Sequence, residues 1–314
     1  MRLIIGIIFL TSATLAFGQG CSDAGFCTMG AMKPDQNYSK RIAIKLRSLE
    51  VNYYRGTTTL TPIITVATVD FNLALSDRSS LQIKVPYQHI KGTLGENSGL
   101  SDIVLSFTKN IKIGEKWSWN GTLGTKIPTN DANATVNNNQ TGGVDAPIHM
   151  YYQTSLGSFD AIAGVSAISS KWLFATGIQV ALNENGNQFV WGNFPNVNQE
   201  YREKYDIGLN LKRGTDIMFR AERNWRFTNF NFSLGVLPIY RITKDEVTNR
   251  MTGERVRPDG TTGLALSVLG SFGYHFDVNN SIKIIQGIKL TDREFNPDGL
   301  TRNEVFSVSY VYKF

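Results

Sequence analysis

Cysteine, histidine and long apolar runs are what this 314-residue chain has least of: two cysteines, three histidines and no apolar stretch fit to cross a bilayer as a helix. Each scarcity closes a class of function. Zinc needs further ligands at close spacing, whereas His89, His149 and His275 are scattered and only Cys21 and Cys27 lie near one another. A hydrolase needs a nucleophile and an orienting group around its histidine, and no Gly-x-Ser-x-Gly or His-x-Ser-Asn stretch accompanies any of the three. No catalytic residue, metal or cofactor is implied. Net charge is +6, yet no Lys/Arg run exceeds two residues, which excludes the concentrated basic face that nucleic acid requires. Ala161 to Leu182 has the length of a membrane helix. Lys171 in its middle, however, costs about 2.5–3.5 kcal/mol on insertion, and Ser169-Ser170 read as a turn.

Charged residues reach only 18% against the roughly 25% of soluble domains, and apolar residues only 41% against about 45–50%. Neutral polar residues and glycine fill the difference, which suits a wet interior and polar loops better than a dry core.

The chain opens with Arg2, the apolar run Leu3 to Leu10 and small residues around Ala16-Phe17-Gly18, the plan of a secretory signal peptide over residues 1–18 cleaved before Gln19. Lipidation at Cys21 is the competing reading, but no leucine stands three places upstream. In an exported chain Cys21 and Cys27 are expected to form a disulfide, with a metal pair as the alternative. Residues 19–39 then form a stapled segment, either a plug for a lumen or a periplasmic tail.

From Lys40 to Phe314 the dominant pattern has period two. Phe306, Val308, Tyr310, Tyr312 and Phe314 alternate with Ser307, Ser309 and Lys313, with Val311 as the one apolar exception. Side chains on a strand point alternately to opposite faces, so one face is apolar and the other mostly polar. The same alternation sets Leu81, Ile83, Val85 and Tyr87 against Gln82, Lys84 and Gln88, and Phe230, Phe232, Leu234 and Val236 against Asn229, Asn231 and Ser233.

Short breaks near Ser76 to Ser79, Ile113 to Glu115, Ser169 to Lys171, Asn224 to Phe227 and Asp277 to Asn280 alternate with longer polar stretches. Those are Gly92 to Gly99, Thr129 to about Phe159, Asn183 to Glu203, Thr243 to Thr262 and Thr291 to Arg302. Short turns on one rim and long loops on the other predict an all-β, antiparallel transmembrane barrel of about twelve strands in the outer membrane of a Gram-negative bacterium. The sixth strand is read as either Ala146 to Ser169 or a shorter piece from Asp160. Tyr205 to Asn224 is read as one strand projecting beyond the membrane, with a hairpin at Arg213 to Asp216 as the alternative.

Three stretches carry a resemblance: Val85-Pro86-Tyr87, then Ser98 through Leu105, then Leu123-Gly124-Thr125-Lys126-Ile127-Pro128-Thr129. In order and spacing they resemble the "MetA-pathway of phenol degradation" family of outer-membrane barrels, itself loosely akin to the long-chain fatty-acid transporter type. Asp102 keeps the family's acidic residue, while Ser101 and Asn130 stand where glycine is usual. The resemblance implies passage of small, often hydrophobic molecules.

On the polar faces stand Asp70, Lys84, Asp102, Lys126, Arg220, Glu222, His275, Lys283 and Lys289 as lumen candidates. They either set ion preference along a permeation path or pair and fill the interior. Three functional classes follow: a channel for small, hydrophobic or aromatic solutes by passive diffusion, a structural or adhesive barrel, and a lipid-acting barrel enzyme, with the channel favoured. The expected partners are outer-membrane lipid, the solute and the barrel-assembly machinery, for which the terminal aromatic Phe314 is the expected signal.

Overall fold

A computed structural model describes residues 45–57, 62–203, 208–299 and 303–314. The expected signal peptide, the 19–39 segment and the expected Cys21–Cys27 disulfide lie outside the described residues. Twelve strands run in chain order: β1 Lys45–Thr57, β2 Ile63–Ser76, β3 Ser79–Gly92, β4 in two pieces, Gly95–Leu100 and Ile103–Ile113, β5 Ser118–Ile127, β6 Asp160–Ile168, β7 Trp172–Ala181, β8 Asp216–Arg226, β9 Phe230–Arg241, β10 Gly263–His275, β11 Asn280–Thr291 and β12 Glu304–Lys313. Each pairs antiparallel with its chain neighbour, and β1 closes on β12 with Val51 opposite Tyr310. Closure gives every strand two neighbours, so no row of N–H and C=O groups is left to face hydrocarbon.

Strand parity separates the two faces as the period-two pattern demands. Outward stand Leu123 on β5, Ile217 and Phe219 on β8, and Phe232, Leu234 and Val236 on β9, all exposed although large and apolar. Inward stand buried Thr68 and Asp70 on β2, Ser106, Thr108 and Asn110 on β4, and Ser307 and Ser309 on β12. A soluble fold would bury the first set; only lipid makes this arrangement favourable.

The outward aromatics crowd toward the short-turn rim. Trp172 stacks on Phe174 at 5.6 Å, Phe227 on Phe230 at 4.4 Å, and Tyr274 meets Phe276 edge-on at 5.2 Å. Arg223 lies over the Trp172 ring at 5.0 Å and the Trp225 ring at 5.7 Å, a cation held on ring faces where bilayer gives way to water.

Three boundaries differ from the sequence reading. Gly92 to Gly99 is no long loop: Gly92 pairs with Gly95, and Leu94 between them is fully buried against the loops above, so the chain reverses tightly and resumes pairing at once. The sixth strand is the shorter alternative, Asp160–Ile168, and residues 146–158 belong to a loop structure. The stretch from Tyr205 to Asn224 is not one strand: the strand starts at Asp216, and Gly208 to Thr215 turns inward. Leu209 and Leu211 are buried there, and a Cβ on Gly214 would collide with the Thr243 carbonyl.

Parity makes a direct prediction. Leu123→Arg, mid-strand on the outer face, should cost about 2–4 kcal/mol of folding stability in lipid vesicles by denaturant titration, whereas Asn72→Arg on the inner face should cost under about 1 kcal/mol.

Candidate functional site

The long loops fold together over the outer mouth rather than spreading away from it. Ile148, Tyr152, Phe189, Phe194 and Val197 from the β5–β6 and β7–β8 connections pack against inward-facing Ile64 and Val66 of β2, Ile90 of β3 and Val305 of β12. The imidazole of His149 sits in this lid, its ring 4.6 Å from Tyr151 and 4.8 Å from Phe189, with Nδ1 accepting the Tyr151 N–H at 3.2 Å. Asn187 ties the two connections together, donating to the carbonyls of Ala132 at 2.8 Å and Ile148 at 3.1 Å.

Below the lid the wall carries buried ions. The first group begins at a flaw in the ladder. Lys84 faces Val104 but Tyr87 faces Leu100, so Val85-Pro86 oppose three residues of β4, a β-bulge beside a proline that has no N–H to donate. The bulge turns both Ser101 and Asp102 into the interior. Ser101 Oγ accepts from Gln88, while Asp102 meets Lys126 Nζ at 2.8 Å and takes the Leu156 N–H at 3.2 Å and the Ser155 hydroxyl. Two of the stretches that carry the family resemblance, Val85-Pro86-Tyr87 and Ser98 to Leu105, thus face each other across one bulge, and Lys126 of the third supplies its counterion. Lys126 also reaches Asp160 at 3.1 Å, and Asp160 pairs with Arg213 from the β7–β8 connection.

The second group centres on Arg241, which binds Asp216 at 2.8 Å, Asp245 at 2.8 Å and Asp298 at 2.9 Å, while Arg293 joins Asp298 at 3.1 Å. Three carboxylates face two guanidiniums. Burial pushes the Asp245 carboxyl above its ordinary value, with Arg241 opposing and the neighbouring Asp298 reinforcing the rise. Both groups join wall residues to loop residues, so they fasten the lid as well as neutralise the wall.

Of the other lumen candidates, Asp70 lies 3.5 Å from Lys84 and accepts from Gln82 at 2.6 Å, and Arg220 donates to Glu222 at 3.1 Å from Nε. These pairs run along the wall between neighbouring positions, not across the lumen. Lys283 sits opposite Gly273 and Ser309 on the inner face, Lys289 pairs with Asp292 at the outer rim, and His275 is exposed at the short-turn rim. The sequence reading missed Asp160, Asp216 and Arg241, although each shares the inward parity of its strand. Asp245, Arg293 and Asp298 lie in loops where no periodicity marks them.

At the opposite end, a cavity of about 350 Å³ opens at the short-turn mouth, lined by Arg47, Arg78, Lys116 and Arg226 with Asn110 and Asn120 at its inner side. From there a polar track climbs β3, β4 and β5: Asn110 donates to Asn120 at 2.9 Å, Thr108 and Thr122 share a bond at 2.9 Å, and Ser106 donates to Gln82 at 3.4 Å.

No family model and no curated protein matches the chain. Among solved structures it is similar to an outer membrane channel from Pseudomonas putida F1, with a TM-score of 0.57 at 14% identity over 90% of this chain and 99% of that one. It is also similar to the NanC porin, with a TM-score of 0.50 at 8% identity over 85% of this chain and 100% of that one. At these identities the likeness shows a shared outer-membrane barrel fold.

Removing one partner from a buried ion group leaves the others uncompensated, at about 3–5 kcal/mol. Arg241→Met should therefore loosen the lid while sparing the barrel, read as a large rise in the rate of trypsin cleavage at Arg250 and Arg255 with unchanged far-ultraviolet circular dichroism.

Proposed function

We propose that this protein is an outer-membrane channel that passes small solutes by passive diffusion, with the loop lid governing access at its outer end. One observation carries the reading: amide and hydroxyl side chains line the inner wall of β3, β4 and β5 inward from the open mouth, Asn110 with Asn120, Thr108 with Thr122 and Ser106 with Gln82. A barrel that served only as a scaffold would gain stability from an apolar filling, because partly satisfied polar groups held out of water are costly. The similarity to solved channels and the "MetA-pathway" motifs support the same reading. In this account Phe314 is the terminal aromatic engaged by the barrel-assembly machinery; its N–H donates to the Arg47 carbonyl at 3.0 Å and its ring meets Tyr312 edge-on at 4.8 Å.

Purified protein in planar bilayers should give discrete single-channel steps, and replacing residues 134–152 and 186–198 by short Gly-Ser links should enlarge them. A fully folded barrel that never conducts, with or without its lid, contradicts the proposal.

The lipid-enzyme reading has one foothold. Ser98 lies opposite His89 in the β3–β4 ladder, and Glu96 is 3.4 Å from His89. A channel should show wild-type protein and Ser98→Ala hydrolysing a fluorogenic phospholipid equally little; hydrolysis that requires Ser98 would replace the channel reading.

A further inference from the structure

The charges of this barrel are distributed unevenly. At the lid end every buried cation has a carboxylate: Lys126 and Arg213 share Asp102 and Asp160, while Arg241 and Arg293 share Asp216, Asp245 and Asp298. Several cations on the outer surface there are matched too, Arg257 by Glu246 at 2.5 Å and Lys244 by Asp259. On the inner wall Lys84 has Asp70 and Arg220 has Glu222. At the short-turn mouth the pattern reverses. Arg47, Arg78, Lys116 and Arg226 surround one cavity, none paired with a carboxylate among the described residues, and Glu115 is the one acidic residue on its lining. Among the described residues the Arg47 side chain reaches only the Ser76 carbonyl, at 3.4 Å.

Two unused hydrogen-bonding atoms lie deeper in the same cavity. Asn110 is 8% exposed and Asn120 3% exposed. The Asn110 amide spends its N–H groups on Ser118 at 2.6 Å and on Asn120 at 2.9 Å, which leaves its Oδ1 without a donor and the Asn120 Nδ2 without an acceptor. Buried polar atoms in native proteins find partners, so a donor and an acceptor left open side by side on a cavity wall await a group that supplies both.

We propose that the short-turn mouth is a binding site for a small soluble organic anion. Its carboxylate lies among Arg47, Arg78, Lys116 and Arg226, and a hydroxyl at its other end accepts from Asn120 and donates to Asn110. The cavity, about 350 Å³, falls in the range of about 300–1,000 Å³ typical of small-molecule sites. The geometry thereby names a substrate class for the channel proposed above and rests on that reading for its role in transport. Cations at the lumen entrance draw anions toward the path, and the asparagine pair distinguishes hydroxylated anions from bare ones.

The test uses the full chain in a neutral detergent and isothermal titration calorimetry with three probes: 4-hydroxybenzoate, benzoate and 4-hydroxybenzamide. The expected order puts 4-hydroxybenzoate ahead of each of the others by about tenfold, the scale of one charge-assisted contact. Arg78→Gln with Arg226→Gln should erase the advantage over the amide, the corresponding pair of lysine substitutions should keep it, and Asn120→Ala should erase the advantage over benzoate. Equal binding of the three probes, or binding indifferent to these substitutions, would overturn the site. Loss of binding on addition of phosphatidylglycerol would assign the cations to lipid headgroups and overturn it as well. Binding is read without a bilayer, so its failure leaves the conductance result standing, and a barrel that binds but does not conduct condemns the channel reading alone.

Discussion

The closure of β1 against β12 is the constraint on which everything else in this molecule depends. In hydrocarbon each unpaired N–H or C=O costs several kcal/mol, so a sheet that crosses a bilayer must have no edge. Closure in turn commits every strand to a strict inside and outside. The chain meets that demand with Val, Leu, Ile and aromatic side chains facing out and a mostly polar inner face of Ser, Thr, Asn, Gln and paired charges, broken by apolar patches at Ile64, Val66, Ile90 and Val305 and at Leu173, Met218, Leu237 and Leu269. A polar interior in a barrel of this width then has to be hydrated, filled or capped.

Here it is capped at one end and opens through a cavity at the other. The cap is built from loops whose apolar core packs on Ile64, Val66, Ile90 and Val305 of the wall, and whose further anchorage is ionic. Buried ion groups contribute little net stability compared with apolar packing of the same volume, but they punish any rearrangement that separates their members. They specify one seating of the lid rather than deepening its energy well. Asp102 shows how local chain chemistry produces such a link: a proline that breaks the ladder creates a bulge, and the bulge delivers the carboxylate to both a wall lysine and a loop backbone.

How much of this was legible in the sequence follows from which physics is periodic. The twelve strands, the two rims and the inward parity of Asp70, Lys84, Asp102, Lys126, Arg220 and Glu222 could be read because a strand repeats every two residues. Strand ends could not. Gly208 to Thr215 has the composition of a strand, yet Arg213 is drawn inward to Asp160 and pairing stops. The lid anchors Asp245, Arg293 and Asp298 come from loops that meet only in three dimensions, so no spacing announces them. Of the mouth cations Arg78 and Lys116 sit in separate short turns, Arg47 near the start of β1 and Arg226 at the end of β8, and only barrel closure gathers them.

The central claim is that solute passes through the lumen along the β3–β4–β5 track. The most direct measurement is the current through an Asn120→Cys variant in a background with Cys21 and Cys27 replaced by serine, recorded while a charged, membrane-impermeant thiol reagent is added on the short-turn side. Passage along the track predicts stepwise, irreversible loss of current as the introduced thiol is modified. Complete labelling that leaves the current unchanged would contradict it.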